Sequence, residues 1–254
     1  MDAGEWTLRA GAATDVGRVR EHNEDAAVAR GGVYAVADGM GGHAAGEVAS
    51  AITAETLAEL AERGVITPAE VRAQVARANE RILAHAEQDR RCLGMATTVT
   101  GLALVQGPRW LVFNVGDSRV YRYADGALAQ VTTDHSEVAM LVEAGYLSEQ
   151  EARVHPLRNI VTRCLGRAMP PVDTWDLPVT EGEVYLVCSD GLTGELEDDE
   201  IAHVLRGGSD PQRLAERLVR LAVEYGGHDN VTVVVVQVEA AGKPASASQS
   251  AEPG

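Results

Sequence analysis

The chain has 254 residues and a formal net charge of −16, which makes it a poor ligand for nucleic acid or an anionic membrane, because both attract an excess of Lys and Arg. Its hydrophobic content of 45% and charged content of 24% are ordinary for a globular protein and exclude a largely disordered chain. No apolar run approaches the roughly 20 residues that a membrane helix needs.

The three cysteines, Cys92, Cys164 and Cys188, are odd in number and contain no C-x-x-C pair. Neither a disulfide framework nor a zinc ribbon is therefore predicted, and reduced thiols fit a cytosolic protein best. The opening residues Met-Asp-Ala-Gly-Glu also lack the basic and apolar regions of a secretory signal. We therefore expect a cytoplasmic protein with no membrane segment in this chain.

The first third of the chain predicts one buried strand and two helices. Gly32–Asp38 is a short apolar run ending in Asp-Gly, as expected of a strand. Ala44 to about Glu62 is an amphipathic pattern followed by Gly64, a helix stop signal. Thr67-Pro-Ala-Glu70 is a capping box that opens a second helix extending to about residue 89.

The rest of the chain is dominated by short β-rich runs. Thr97–Val105, Trp110–Val115 and Arg119–Tyr123 are separated by only a few residues, so we expect them to pair antiparallel as a meander. Further strands are predicted at Val172–Leu177, Val184–Cys188 and Val231–Val238, and further helices at Asp198–Arg206 and Pro211–Tyr225. This order favours an α+β layered sandwich over a doubly wound sheet.

Two segments stand apart from this pattern. Residues 134–170 are mostly helical or irregular, with a capping box at Ser148-Glu-Gln-Glu151 and a break at His155-Pro156. We interpret them as an insertion over the sandwich, a type of segment that often carries function. Residues 240–254 are rich in Ala, Ser and Pro and predict a disordered tail after a single domain at 1–239.

Four aspartates lie at the edges of apolar strands. Asp38, Asp117 and Asp190 follow a strand, and Asp229 precedes one. In an antiparallel sandwich, the end of one strand and the start of its neighbour share a rim, so these carboxylates can converge. A single Asp-Gly often only closes a turn, as we expect at Asp125, but four carboxylates at one rim repel each other unless cations separate them. Oxygen ligands favour Mg²⁺ or Mn²⁺, and two such ions can activate water and hold a phosphoryl group.

The segment Thr14–Asp25 adds groups that suit phosphate chemistry. Arg20 offers a planar fork for two phosphate oxygens. Glu24 or Asp25 can reach a metal directly or through water. Taken alone, the segment would more often be a solvated run of charges.

Together these motifs resemble the metal-dependent Ser/Thr protein phosphatases of type 2C (the PPM family), bacterial branch. The matching pieces occur in family order over about residues 8–238: Arg20-x-x-Asn23-Glu24-Asp25, Val36-Ala-Asp38-Gly39-Met-Gly-Gly-His43, Gly94-Met-Ala-Thr97-Thr98, Gly116-Asp117-Ser118-Arg119, Thr133-Asp-His-Ser136, Asn159-Ile-Val-Thr162-Arg163-x-Leu-Gly166, Ser189-Asp190-Gly191-Leu192 and Asp229-Asn230-Val231-Thr232. Each piece alone is weak, and the set is highly specific. The resemblance implies a four-layer αββα sandwich, with two central, mainly antiparallel sheets flanked by helix pairs.

The resemblance also implies a binuclear Mn²⁺ or Mg²⁺ centre with a possible third ion. Its ligand set carries over as follows: Asp38, Asp190 and Asp229 would hold one metal, Asp38 and the Gly39 carbonyl would reach the second, and Asp117 with Asp190 would match a third site. Glu24, from the residues themselves, is a further metal candidate. Arg20 would hold the substrate phosphate, with Asp38 and Arg20 as the catalytic pair. The insertion at 134–170 corresponds to the family's variable flap, which shapes substrate access.

The expected mechanism is in-line attack of a metal-activated water without a phosphoenzyme. Some family members carry His directly after the Asp-Gly, where this chain has Met40, so the general acid stays open. His43, His135, His155 or a metal-bound water are the candidates.

We therefore expect a monomeric bacterial protein phosphatase that removes phosphate from Ser and Thr of phosphorylated proteins and opposes Ser/Thr kinases. Two alternatives remain at this point: a catalytically weak scaffold that binds phosphoproteins, and a phosphatase of the same superfamily that acts on an anti-sigma-factor antagonist. A dinucleotide fold is disfavoured although Gly39–Ala44 fits G-x-G-x-x-A, because Asp38 would face the pyrophosphate.

Overall fold

Two antiparallel β-sheets form the centre of the molecule. The computed structural model describes residues 6–41, 45–64, 66–208 and 210–240. The strands are β1 Trp6–Asp15, β2 Asp25–Arg30, β3 Val33–Met40, β4 Ala96–Thr97, β5 Val99–Val105, β6 Arg109–Val115, β7 Arg119–Ala124, β8 Ala127–Gln130, β9 Asp173–Pro178, β10 Val184–Cys188 and β11 Val231–Ala240. One sheet has the order β1-β11-β10-β7-β8, and the other has the order β2-β3-β5-β6-β9, with β4 beside β3.

Seven α-helices accompany the sheets in the described part of the chain. They are α1 Gly46–Ala61, α2 Pro68–Gln88, α3 Glu137–Glu143, α4 Glu149–Arg153, α5 Asp190–Thr193, α6 Asp198–Arg206 and α7 Pro211–Tyr225. The predicted capping boxes are present: the hydroxyl of Thr67 accepts a hydrogen bond from the Glu70 N–H, and Ser148 does the same for Glu151. No helix among the described residues is long and apolar enough to cross a membrane.

Three apolar cores lie between four layers and confirm the predicted αββα sandwich. Alternate residues of β3 show the division: Val33 and Ala35 pack toward α1 and α2, whereas Tyr34 and Val36 pack between the two sheets. Val231 and Val233 of β11 pack toward α6 and α7 on the far side. Because successive side chains of a strand point to opposite faces, each central strand is buried on both sides.

The predicted meander is wrong at one junction. β5 and β6 pair antiparallel, but β6 and β7 belong to different sheets, so the three residues between them carry the chain across the sandwich. Gly116 allows this step: its φ is +123°, and a Cβ there would lie 2.5 Å from Cβ of Thr98. The predicted run Thr97–Val105 is likewise divided, with β4 pairing to the end of β3.

Three strands have no counterpart among the predicted elements: β1, β2 and β8. β1 runs antiparallel along the whole of β11, from Trp6 opposite Ala240 to Asp15 opposite Val231. Ala240 therefore ends a strand, and the remainder of the predicted tail, 241–254, lies outside the described residues. β8 pairs with β7 across the predicted Asp125-Gly126 turn.

Candidate active site

A tight hairpin places two aspartates face to face. β2 and β3 are joined by Gly31 and Gly32, both with positive φ, and the register of this hairpin sets Asp25 opposite Asp38. The Ser189 hydroxyl donates a hydrogen bond to Asp25 Oδ2 at 2.8 Å. This contact brings the second sheet, through the end of β10, to the same rim.

The neighbouring strands β10 and β11 bring in the next pair of carboxylates. They are antiparallel, with Cys188 opposite Val233, so Asp190 after β10 and Asp229 before β11 lie at one end of the sheet. The N–H of Ser189 donates to the Thr232 carbonyl, and the N–H of Thr232 donates to the Ser189 hydroxyl. Asp190 and Asp229 therefore meet Asp38 at one rim, as the sequence pattern predicted, and Asp25 joins them there.

Asp117 reaches the same rim through the chain crossing between the sheets. It is 7% exposed and follows Gly116. The backbone at this point is held by His135, whose Nδ1 accepts a hydrogen bond from the Gly116 N–H at 3.1 Å. The crossing that contradicts the predicted meander is thus what delivers this carboxylate.

The carboxylates perturb one another strongly. Burial, together with the charges of Asp25, Asp190, Asp117 and Asp229, raises the pKa of Asp38 well above its usual range. Burial and the neighbouring charges likewise raise the pKa values of Asp117 and Asp190. The pKa of Asp25 rises to about 7, chiefly because it is buried. Without a cation, several of these groups therefore resist ionisation.

The buried oxygens at this rim suit hard divalent cations. Asp25 Oδ1 and Asp190 Oδ1 are both buried and have no hydrogen-bond partner in the structure. Buried polar atoms are rarely left unpaired, and oxygen donors in a cluster of negative charge are what Mg²⁺ and Mn²⁺ prefer. In the described part of the chain, no three His, Cys, Asp or Glu side chains form a ready-made ligand set around one point. The carboxylate oxygens at this rim nevertheless match Mg²⁺ and Mn²⁺ in donor type and in negative charge.

Arg20 is the cationic group of the rim. Its Nη2 donates to Asp229 Oδ2 at 2.7 Å, and about half of its side chain is exposed. A guanidinium carries five N–H donors, so the N–H groups of Arg20 that do not contact Asp229 can bind an anion. Arg20 therefore contacts the carboxylate cluster through Asp229 and is also accessible from solvent.

Glu24 turns toward the start of α1. The backbone N–H of Gly46 hydrogen-bonds its carboxylate, and burial together with the charge of Glu47 raises the pKa of Glu24. Gly39 lies in the same tight corner, because a Cβ there would be 2.3 Å from the Gly46 carbonyl oxygen. The structure thus places Glu24 at the edge of the carboxylate cluster, beside Gly39.

The histidine candidates for the general acid differ in their surroundings. His135 is 5% exposed, and its Nε2 lies 3.0 Å from Asp173 Oδ2, so both ring nitrogens are engaged. Burial also lowers the pKa of His135, which keeps the ring neutral. The Nδ1 of His155 accepts a hydrogen bond from the Leu157 N–H within the insertion. His43 lies outside the described residues.

Two residues have a larger part in the site than the sequence analysis gave them. Asp25 was only an alternative to Glu24, yet it faces Asp38 directly. The Gly31-Gly32 pair between two short runs is a hairpin signal that would have found it. Asn230 was quoted within a matching motif but without a role. Its side chain binds the segment that carries Arg20, and sequence could not show this because its partners are backbone atoms more than 200 residues away.

Comparison with known families and proteins points to one group. The family described as Protein phosphatase 2C matches residues 18–223. The chain is 42% identical over 234 residues to the serine/threonine protein phosphatase PstP of Mycobacterium tuberculosis, a match that covers 91% of this chain and 45% of that protein. The chain thus spans less than half the length of that relative. It is also 36% identical over 251 residues to the serine/threonine phosphatase stp of Listeria monocytogenes, covering 92% of this chain and 98% of that protein.

A solved structure gives the same answer for the fold. The crystal structure of the catalytic domain of PstP, determined in complex with two manganese ions, superimposes with a TM-score of 0.83 at 38% identity. The match covers 92% of this chain and 99% of that one. The two sheets and their flanking helices are therefore a shared architecture.

Proposed function

The chain belongs to the protein phosphatase 2C family, and on this basis we propose that it is a metal-dependent protein phosphatase that hydrolyses phosphoserine and phosphothreonine. The observation that carries this proposal is the rim itself. Five aspartates, two of them with unpartnered buried oxygens, lie beside the half-exposed guanidinium of Arg20. Such a site suits metals on one side and a phosphate on the other.

We assign the metal ligands residue by residue. Asp38, Asp190 and Asp229 would hold one Mn²⁺ or Mg²⁺, and Asp38 with the carbonyl of Gly39 would hold a second. Asp117 with Asp190 would provide a third site, and Glu24 would reach a metal directly or through water. Asp25 lies opposite Asp38, and its unpartnered buried oxygen would reach a metal directly or through water. When bound, the metals activate water for attack and neutralise charge on the phosphoryl group.

The chain's own side chains orient the substrate. Arg20 binds the phosphate through the N–H groups that do not contact Asp229, and the Asp229 contact fixes the direction of its guanidinium. The leaving Ser or Thr oxygen needs a proton. Met40 cannot supply one, both ring nitrogens of His135 are engaged, and His155 Nδ1 is hydrogen-bonded within the insertion. Of the candidates in the described part of the chain, we therefore assign this proton to water.

The substrates we propose are phosphorylated Ser/Thr proteins, so the enzyme opposes Ser/Thr kinases and acts as a monomer. Residues 134–170 form the flap beside the rim: the N–H of His135 donates to the Gly116 carbonyl, next to Asp117. All three cysteines are buried and free, which supports a reducing, cytoplasmic setting.

Phosphate release from a phosphothreonine peptide tests this function. The protein with Mn²⁺ should release phosphate, and EDTA or Asp38→Ala should abolish release. Asp125→Asn is the matched control, because Asp125 is also followed by Gly but only closes the β7–β8 turn. Activity that survives EDTA or Asp38→Ala would contradict the metal mechanism. A wild-type protein that binds the phosphopeptide without releasing phosphate would instead be a scaffold.

Arg20→Ala separates the two sides of the site. We expect KM for the phosphopeptide to rise about tenfold, because a phosphate-binding charge is lost. Mn²⁺ binding measured by calorimetry should be unchanged. Loss of Mn²⁺ binding in this variant would assign Arg20 a structural role in place of phosphate binding.

A further inference from the structure

Asn230 makes three hydrogen bonds to one segment of backbone. Its Oδ1 accepts from the N–H of Glu24 at 2.8 Å, and its Nδ2 donates to the carbonyls of Val16 and His22 at 3.0 and 2.9 Å. The residue is 6% exposed. The amide is therefore hydrogen-bonded to both ends of residues 16–24, which connect β1 to β2.

This connection has no regular structure of its own. Residues 16–24 lie between two strands, and most of them are exposed. Besides Asn230, it is held by the Arg18 N–H, which donates to the Gly227 carbonyl at 2.7 Å. Gly17, with a φ of +77°, lies close enough to the Asp229 carbonyl oxygen that a Cβ would be 2.4 Å from it. Arg20 is in the middle of this segment, between Val16 and His22, whose carbonyls accept hydrogen bonds from Asn230.

We propose that Asn230 is a positioning residue: its side-chain amide holds residues 16–24 so that the Arg20 guanidinium is fixed at the place where the substrate phosphate binds. The proposal rests on the function proposed above. Asn230 itself contacts neither the phosphate nor the reacting atoms, and it acts through Arg20.

The energetics favour this role. A buried amide that satisfies two carbonyls and one N–H leaves three backbone groups unpaired when it is removed. Those groups then find water only if the segment moves outward, and a mobile segment must be ordered again each time a phosphate binds. The loss should therefore appear in KM and much less in kcat.

A double-mutant cycle between Asn230 and Arg20 tests the proposal. We expect Asn230→Ala to raise KM for the phosphothreonine peptide several-fold, approaching the roughly tenfold effect of Arg20→Ala. In the double variant, Asn230→Ala should add less than about twofold, because a residue that acts through Arg20 has nothing to position once Arg20 is gone. Mn²⁺ binding by calorimetry should stay within about twofold of the wild type.

Asn79→Ala is the matched control. Asn79 is also a buried amide, 3% exposed, and it holds another segment through Gly166 and Arg167. Because Asn79 does not act through Arg20, the two substitutions should be independent. The fold-change in KM of the Asn79→Ala/Arg20→Ala double variant should equal the product of the two single fold-changes. A cycle in which Asn230→Ala also multiplies with Arg20→Ala would overturn the proposal, as would a loss of Mn²⁺ binding in Asn230→Ala.

Hydrogen exchange gives a readout that does not depend on activity. Backbone amides of residues 17–24 should exchange faster in Asn230→Ala than in the wild type, and not in Asn79→Ala. Unchanged exchange would overturn the proposal. If Asn230→Ala does not fold, Asn230→Ser, which keeps a small polar side chain, replaces it in both experiments. An inactive wild type would refute the phosphatase function, whereas the exchange result would still report on Asn230.

Discussion

Asp25 and Asp38 lie directly opposite each other on the antiparallel strands β2 and β3. Like charges at directly opposed positions destabilise a sheet, and burial adds to the cost of ionising either group. The protein therefore keeps at its rim an arrangement that is unfavourable for folding in the absence of cations. Sites of this kind are usually retained for function at some expense of stability.

Asp38→Asn should separate stability from activity. Removing one of the opposed charges is expected to raise the thermal midpoint of the EDTA-treated protein by about 2–4 °C for each kcal/mol of repulsion relieved. The same change should abolish phosphate release, because a proposed bridging ligand is lost. Thermal unfolding followed by circular dichroism in EDTA checks the first outcome. Asp125→Asn, at an exposed turn position with a φ of 53°, should leave both quantities unchanged. A destabilised Asp38→Asn protein would show that Asp25 and Asp38 do not repel in the folded state.

Asp25 should make the stability of the metal-free protein depend on pH. Its pKa rises from an ordinary value of 3.8 to about 7 on folding, mainly through burial. Between these values the folded state holds a proton that the unfolded state has released, so this group makes stability fall as pH rises from about 4 to about 7. Asp25→Asn removes that dependence. The free energy of unfolding of the Asp25→Asn protein minus that of the wild type, that is, the stability gained by the substitution, should therefore increase from about pH 4 to about pH 7 and stay constant above that range.

Urea unfolding in EDTA at several pH values measures this difference. The comparison of Asp25→Asn with the wild type cancels the titrating groups that do not interact with Asp25. Asp38 does interact with it, and loss of the Asp25 charge lowers the pKa of Asp38, which changes the difference in the same direction. A difference that is constant with pH would mean that Asp25 titrates alike in the folded and unfolded states.

The elements that sequence predicted well are those coded by neighbouring residues. The capping boxes at Thr67 and Ser148 and the turn at Asp125-Gly126 depend on contacts within a few positions. The group of aspartates at the rim was also predictable, because in an antiparallel sheet the end of one strand lies beside the start of the next. Its members Asp38, Asp117, Asp190 and Asp229 each follow or precede an apolar run that the sequence shows plainly.

The elements that sequence missed depend on distant partners. β1 is rich in Ala, Gly and Thr, and it forms a strand because it pairs along the valine-rich β11, more than 200 positions away. The sheet change between β6 and β7 was hidden for a related reason: a short connection normally means a hairpin, and only the packing of Gly116 against Thr98 shows that the chain crosses the sandwich. Nothing local distinguishes that glycine from one in a hairpin.

Gly116→Ala should therefore destabilise the fold far more than the same change at Gly126. Both glycines have positive φ, so both variants bear the backbone strain of about 1 kcal/mol. At Gly116 the new Cβ would also lie 2.5 Å from Cβ of Thr98, whereas at Gly126 it would meet nothing within 4 Å. We expect a loss of about 3 kcal/mol or more at Gly116, including the overpacking. Urea unfolding of the two variants measures the contrast, and equal losses would show that the crossing can relax.

The Arg119–Asp134 ion pair ties the chain crossing to the start of the flap. Arg119 Nε and Nη2 both donate to the Asp134 carboxylate, Nη2 at 2.7 Å, and its Nη1 donates to the Tyr121 hydroxyl at 2.9 Å. Both charges are largely buried, with side-chain exposures of 24% and 13%. Because Arg119 is two residues beyond Asp117, this pair fixes the crossing from one side while His135 fixes it from the other.

Arg119→Ala should consequently cost about 3 kcal/mol of stability, since it leaves the Asp134 carboxylate buried without its partner. Arg91 provides the control, because it makes the same bidentate contact with Asp89 while its side chain is 88% exposed. Exposed pairs contribute little, so Arg91→Ala should leave the urea midpoint unchanged. Arg119→Lys should recover only part of the loss, because an ammonium group cannot reproduce the two parallel hydrogen bonds. If Arg119→Lys matches the wild type, charge alone holds the flap to the crossing, and the planar fork of Arg119 is not what anchors it.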